Sequence, residues 1–268
     1  MIPLKDNVPT DQFPLVTLVL IMANFVVYFL AIRHGGSFIS GPTQAQELRY
    51  GAIPFALTHP GVHCAEVIRH TPLGTSGPEI LCNTRLLNAN HIPAENLLPG
   101  WQTIFTGMFM HASIIHIGGN MLFLWIFGNN VEDALGHVKY LAFYLVGGIA
   151  ALALQVAIAP NSTTPTLGAS GAIAAVLGAY IVLYPRARVL TLVIIILFFT
   201  VIEIPAWVML GIWFAIQAVF GAAGLTTATG SGGGVAYFAH IGGFLFGFLV
   251  IRLLVRRRIE VSPPYPVY

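Results

Sequence analysis

Five polar side chains stand in long apolar stretches that carry almost no charge: His111, His116, Asn120, Ser170 and His240. A charged side chain at the middle of a bilayer costs roughly 2.5–3.5 kcal/mol, so ionisable residues in such surroundings mark function by default. Ser170 lies in Leu167-Gly168-Ala169-Ser170-Gly171-Ala172. A serine nucleophile needs close backbone approach, which Gly168 and Gly171 permit. It also gains from the free N–H groups at a helix start behind it. The segment is not the hydrolase elbow G-x-S-x-G, because Ala172 stands in place of the last glycine. His240 lies in Ala239-His240-Ile241-Gly242-Gly243, and a neutral imidazole can take the proton of a serine hydroxyl. His116 and Asn120 are four apart and share one helix face. Two donors side by side, with the Ser170 N–H, suit an oxyanion hole.

Each residue also has an ordinary structural role. Ser170, Ala174 and Gly178 form a small-xxx-small ridge that can serve packing alone. A single intramembrane histidine can hydrogen-bond a carbonyl, and His116 and Asn120 can bridge helices. A metal site built from His111, His116 and His240 is disfavoured. There is no H-E-x-x-H and no acid beside the histidines, so neither metal nor cofactor is expected. Gly243 and Gly247 form a GxxxG face. Its natural partner is the ridge on the Ser170 helix, and that packing would bring His240 beside Ser170. His111 is placed near the same site as a structural residue.

The elements that must position these residues follow from composition. The chain has 268 residues, 56 % hydrophobic and 8 % charged, against roughly 25 % charged in an ordinary globular protein. Mean hydropathy is +0.81. So few charges cannot cover such a core with a water-facing surface, which leaves a polytopic membrane protein. Net charge is +2, so there is no basic field for nucleic acid. A span needs about 20 apolar residues, and six are expected: 14–32, 104–129, 138–159, 167–184, 205–224 and 235–255. The first lacks a small-residue cleavage site and reads as an anchor. Residues 35–100 are polar and hold four of the ten acids (Glu47, Glu66, Glu79, Glu95), which marks a large extramembrane loop. The chain's two cysteines, Cys64 and Cys82, lie 18 apart in that loop. They are expected to form a disulfide on an oxidising face, with two free thiols as the alternative.

The stretch 189–204 is apolar but only about 15 residues long, β-branched and aromatic, with Glu203 and Pro205 at its end. It is expected to lie in the interface or on the bundle without crossing. With six spans, Lys5, Lys139, Arg186, Arg188 and Arg256-Arg257-Arg258 share one face, whereas 160–165 and 225–234 carry no Lys or Arg. The positive-inside rule then makes both termini cytoplasmic and the 35–100 loop external. Residues 1–13 and 256–268 become cytoplasmic ends around a 14–255 membrane domain, and all five site residues fall toward the outer end of their helices.

At this point the motifs resemble those of the rhomboid intramembrane serine proteases of bacterial type. The matching pieces are G-A-S-G at 168–171, A-H-I-G-G-F-L-F-G at 239–247, H-A-S-I-I-H-I-G-G-N at 111–120 and G-N-N-V-E-D-A-L-G at 128–136. The resemblance covers about residues 100–250. It implies an all-α six-helix bundle, in which the large outer loop read above falls between helices 1 and 2. It also implies a nucleophile at Ser170, a general base at His240 and an oxyanion-stabilising pair at His116 and Asn120. The expected activity is endopeptidase cleavage of single-span membrane proteins near the outer face of the cell membrane, with the bilayer and the substrate as partners. Two departures are visible. Trp101-Gln102 stands where the family often has Trp-Arg, and the 35–100 loop is longer than in a minimal six-span member. A non-catalytic relative is the second reading, disfavoured by the intact Ser170 and His240. A transporter would show matching broken halves, which the sequence lacks.

Overall fold

The computed structural model describes residues 2–71, 74–195, 198–226 and 235–255. The expectations for most of the 225–234 connection and for the 256–268 tail lie outside the described residues. In chain order the elements are β1 (Ile2–Asp6), α1 (Leu15–Ile32), α2 (Gln44–Tyr50), α3 (Pro54–Thr58), β2 (Cys64–Thr71), β3 (Gly74–Cys82), α4 (Thr84–Ala89), α5 (Gly100–Thr106), α6 (Ile114–Leu135), α7 (His137–Ile158), α8 (Ser170–Leu183), β4 (Arg188–Ile195), β5 (Phe198–Pro205), α9 (Ala206–Thr226) and α10 (Tyr237–Leu254). Among the described residues, α1, α7, α9 and α10 are long and apolar enough to cross a membrane, and α8 is a shorter apolar helix. α6 is as long as α7, but Gly118, Gly119, three asparagines, Glu132 and Asp133 dilute its apolar character.

α8 is the centre of the bundle. Every residue from Ala172 to Tyr180 is buried, with α6, α7 and α10 packed around it. Its small side chains allow this. A Cβ on Gly247 would fall onto the Ala175 carbonyl, one on Gly243 onto that of Gly171, and one on Gly178 onto that of Phe244. The α8–α10 contact is therefore backbone against backbone. Gly243 and Gly247 do meet α8, on the face of Gly171, Ala174 and Ala175 rather than squarely on the Ser170 ridge.

Two expected boundaries are corrected. The span expected over 104–129 is broken: α5 stops at Thr106, and α6 starts only at Ile114. Ser113 is extended there, and its hydroxyl accepts from the His116 N–H at 3.1 Å, a cap that sets a new helix start. α6 also runs six residues past Asn129, because its polar end is satisfied from other elements. Asn130 donates to Asp6 at 2.7 Å. Glu132 accepts from the Val16 and Thr17 N–H groups, each at 2.8 Å, and from the Thr17 hydroxyl at 2.6 Å. That carboxylate satisfies the free N–H groups that begin α1 and complements the helix dipole.

The purely helical expectation is also corrected, since the chain carries two small antiparallel sheets. Residues 188–205 form the hairpin β4–β5, paired from Arg188↔Pro205 to Ile195↔Phe198, with β1 against the other edge of β4. The β-branched run favours the pleat. Its period of two points Val189 and Thr191 inward, where the Thr191 hydroxyl lies 3.7 Å from Met209 Sδ, and leaves Leu190 and Ile194 outward. The region 35–100 is folded rather than a bare loop. β2 and β3 pair with Cys64 opposite Cys82, and the two are joined as a disulfide. Leu48, Ile53 and Cys64 make a separate small core, with Phe55, Ala56 and Ile80 against it.

Candidate active site

The site is assembled at the start of α8. Gly168 has φ +109°, a left-handed conformation that favours glycine. Its N–H donates to the Gly107 carbonyl at 2.9 Å. A Cβ there would lie 2.8 Å from His116 Nε2 and 3.4 Å from Asn120 Nδ2. The glycine thus lets the backbone ahead of Ser170 pass directly against the two α6 side chains. The next residue is held by His111, which is fully buried. Its Nδ1 donates to the Phe109 carbonyl at 3.2 Å, leaving Nε2 to accept from the Ala169 N–H at 3.4 Å. The His111 ring also meets His116 edge-on, centroids 5.0 Å apart. Ser170 then opens α8, with its hydroxyl free of any capping duty.

His240 reaches Ser170 from α10. Ser170 Oγ and His240 Nε2 are 2.8 Å apart, and His240 Nδ1 lies 2.7 Å from Gln217 Oε1 on α9. The amide oxygen can only accept, so Nδ1 carries the proton and Nε2 is left to accept from the serine hydroxyl. Trp213, one turn before Gln217, packs beside the imidazole with centroids 5.9 Å apart. Behind the pair, the Ala239 N–H donates to Gln155 Oε1 of α7 at 3.2 Å.

The structure therefore brings Ser170 and His240 into direct contact, sets His116, Asn120 and Gly168 together one step upstream, and uses His111 on the Ala169 amide. Gly171, Gly243 and Gly247 form the helix contact beneath. Cys64 and Cys82 stand apart from the site, in the 35–100 region. Asn120 is 9 % exposed, and its Nδ2 has no hydrogen-bond partner among the described residues. A buried donor left free costs stability, and this one sits beside the turn that presents Ser170. A cavity of about 340 Å³ opens over the pair, lined among others by Ser170, His240, His116 and Gly168. Sequence reasoning missed Gln217, Trp213 and Gln155. Gln217 left a signal, being the single amide in the otherwise apolar α9.

A rhomboid domain model matches residues 99–257, the stretch that includes α5–α10 and all five site residues. The chain is 32 % identical over 151 residues to rhomboid protein 1, mitochondrial, of Saccharomyces cerevisiae, covering 55 % of this chain and 40 % of that protein. It is 31 % identical over 164 residues to the presenilin-associated rhomboid-like protein, mitochondrial, of Mus musculus, covering 59 % and 39 %. It is 29 % identical over 159 residues to rhomboid-like protein 11, chloroplastic, of Arabidopsis thaliana, covering 58 % and 53 %. The chain thus spans about half or less of the length of these relatives. With the family model matching more than half of its residues, and with several apolar helices, this chain belongs to the rhomboid family of membrane proteins.

Proposed function

We propose that this protein is an intramembrane serine endopeptidase that cuts single-span membrane proteins with a Ser170–His240 dyad. The observation that carries the reading is the 2.8 Å contact between Ser170 Oγ and His240 Nε2 across two helices. In the first half-reaction Ser170 Oγ attacks the peptide carbonyl while His240 Nε2 takes its proton. The developing oxyanion is held by the Ser170 N–H, His116 and the free Asn120 amide, an effect worth roughly 2.7–4 kcal/mol per donor in comparable hydrolases. His240 returns the proton to the leaving amine, and the C–N bond breaks to leave an acyl-serine. Water, deprotonated by His240, then releases the acid and restores the hydroxyl. Gln217 plays the orienting part that a carboxylate plays in a triad.

The membrane reading has six spans, α1 and α6–α10, with both termini cytoplasmic in a cell membrane and 35–100 outside. The β4–β5 hairpin then lies at the inner face without crossing. α8, at 14 residues, is about 21 Å long, shorter than the hydrocarbon thickness of about 30 Å. Its N-terminus and Ser170 therefore sit below the outer surface, in a cavity that can hold the water hydrolysis needs. A helical substrate hides its peptide bonds, so Gly, Pro or other helix-weakening residues near the cut favour cleavage. An active-site fluorophosphonate tests the reading. Labelling of the wild type that disappears in Ser170→Ala supports it, and a wild type that neither labels nor cleaves a reconstituted substrate overturns it.

A further inference from the structure

One wall of the cavity over Ser170 and His240 comes from outside the bundle. α2 contributes Gln44 and Glu47, three residues apart and so on one helix face. Glu47 is the single acid lining the cavity among the described residues; the other ionisable groups there are His116 and His240. It is half-buried, and no side-chain hydrogen bond or ion pair reaches its carboxylate among the described residues. Arg49 does not neutralise it, being exposed and turned over the Tyr50 ring at 5.6 Å. Burial without a partner pushes the Glu47 carboxyl up to about 7, and an incoming cation would pull it back into the charged form.

The helix that carries Glu47 is held against the cleft. The next residue on α2, Leu48, is fully buried in the small core with Ile53 and Cys64. Just past the helix, Ala52 and Thr166 exchange both backbone hydrogen bonds, Ala52 N–H to Thr166 O at 3.2 Å and Thr166 N–H to Ala52 O at 2.8 Å. Gly51 leaves no room for a side chain, since a Cβ would lie 2.8 Å from Pro165 Cβ. α2 is thus clamped to the segment that leads into Ser170. A half-buried carboxylate without a counter-charge is costly, and this residue lines the space a substrate must enter.

We propose that Glu47 is the specificity-determining residue of a cation-accepting subsite, selecting membrane substrates that carry a lysine or arginine close to the bond Ser170 attacks. Gln44 adds an amide to the same face. The proposal rests on the protease reading above and names its substrate class. A charge-assisted hydrogen bond in a sheltered cleft gives about 10- to 100-fold discrimination.

The test uses the full chain in vesicles with a cleavable single-span substrate, in which Lys and Met are compared at each of the five positions on either side of the cut. In the wild type one position is expected to favour Lys over Met by about tenfold or more in kcat/KM. Glu47→Gln brings that ratio near one. Glu47→Lys inverts it, so that a substrate with Glu at the same position becomes preferred. Fluorophosphonate labelling of Ser170 normalises each rate to the amount of competent enzyme. A wild type that labels normally but shows a flat Lys scan overturns the Glu47 proposal alone, as does a Lys advantage that survives in Glu47→Gln. A wild type that neither labels nor cleaves removes the protease reading, and the subsite with it.

Discussion

The two regions that wall the cleft are held together by opposite means. On the bundle side, α8 and α10 meet where Gly171, Gly178, Gly243 and Gly247 let backbone touch backbone, and Ser170 and His240 sit at the end of that contact. On the other side, in the 35–100 region, α2 rests on a core of three buried residues, a cross-strand disulfide and side-chain caps such as Asn83 on Leu86 N–H at 3.1 Å. The first contact has no slack, because a single added methyl group strikes a carbonyl. The second is built from small elements with a core of their own, joined to the bundle through the Ala52–Thr166 backbone pair. Chemistry that needs its atoms within a few tenths of an ångström occupies the first, and the residue we assign to substrate choice occupies the second.

The sharpest way to break the comparison is at the pair itself. Ser170→Ala or His240→Ala is expected to remove nearly all cleavage while the protein still folds, and the double variant should be little worse than either alone, because the two act as a unit. Substantial cleavage by purified Ser170→Ala would sink the assignment. Next comes the contact beneath it. Gly247→Val should cost about 3 kcal/mol or more by overpacking and part α10 from α8, read as a lowered Tm together with lost fluorophosphonate labelling. Unchanged labelling would show that the site does not depend on this contact.

Smaller effects sharpen the picture. Alanine at His116 or Asn120 should lower kcat by roughly 10–1000-fold with a smaller change in KM; a pure KM effect would move these residues to substrate binding. Gln217→Ala should lower kcat by about 10- to 100-fold, a part of what general-base catalysis supplies, and Gln217→Glu, which keeps an acceptor for Nδ1–H, should recover most of it. Equal loss in both would point to packing. The smallest effect on the chemistry belongs to the 35–100 region. Cys64→Ser with Cys82→Ser should destabilise that region by roughly 3 kcal/mol in the chain-entropy model. Hydrogen exchange should then quicken in 44–96 while α7, α8 and α10 keep their protection; loss of protection in the bundle would mean the two regions are not independent.

Much of the fold was legible because hydrocarbon imposes a simple rule on the sequence. Long apolar runs ended by Gly, Pro or charge gave α1, α7, α9 and α10 within a few residues of the observed ends. The same rule failed where polar residues find partners far along the chain. The polar run that begins at Asn129 reads as the end of a span, yet α6 continues through it, because Asp6 accepts from Asn130 and the first turn of α1 donates to Glu132. Residues 189–204 lacked a helical stripe, but their hairpin and its pairing with β1, nearly two hundred residues away, could not be read from local pattern.

The sequence by itself determined a membrane bundle and five polar residues out of place in it, since spans are local and the cost of polarity in hydrocarbon is paid residue by residue. Only the tertiary structure decided that Ser170 Oγ and His240 Nε2 lie 2.8 Å apart, that Gln217 holds the far side of the imidazole, and that Glu47 enters the same cavity. Those relations join α8, α10, α9 and α2 across 23 to 193 positions of sequence. They depend on how closely helices approach, which no single segment encodes.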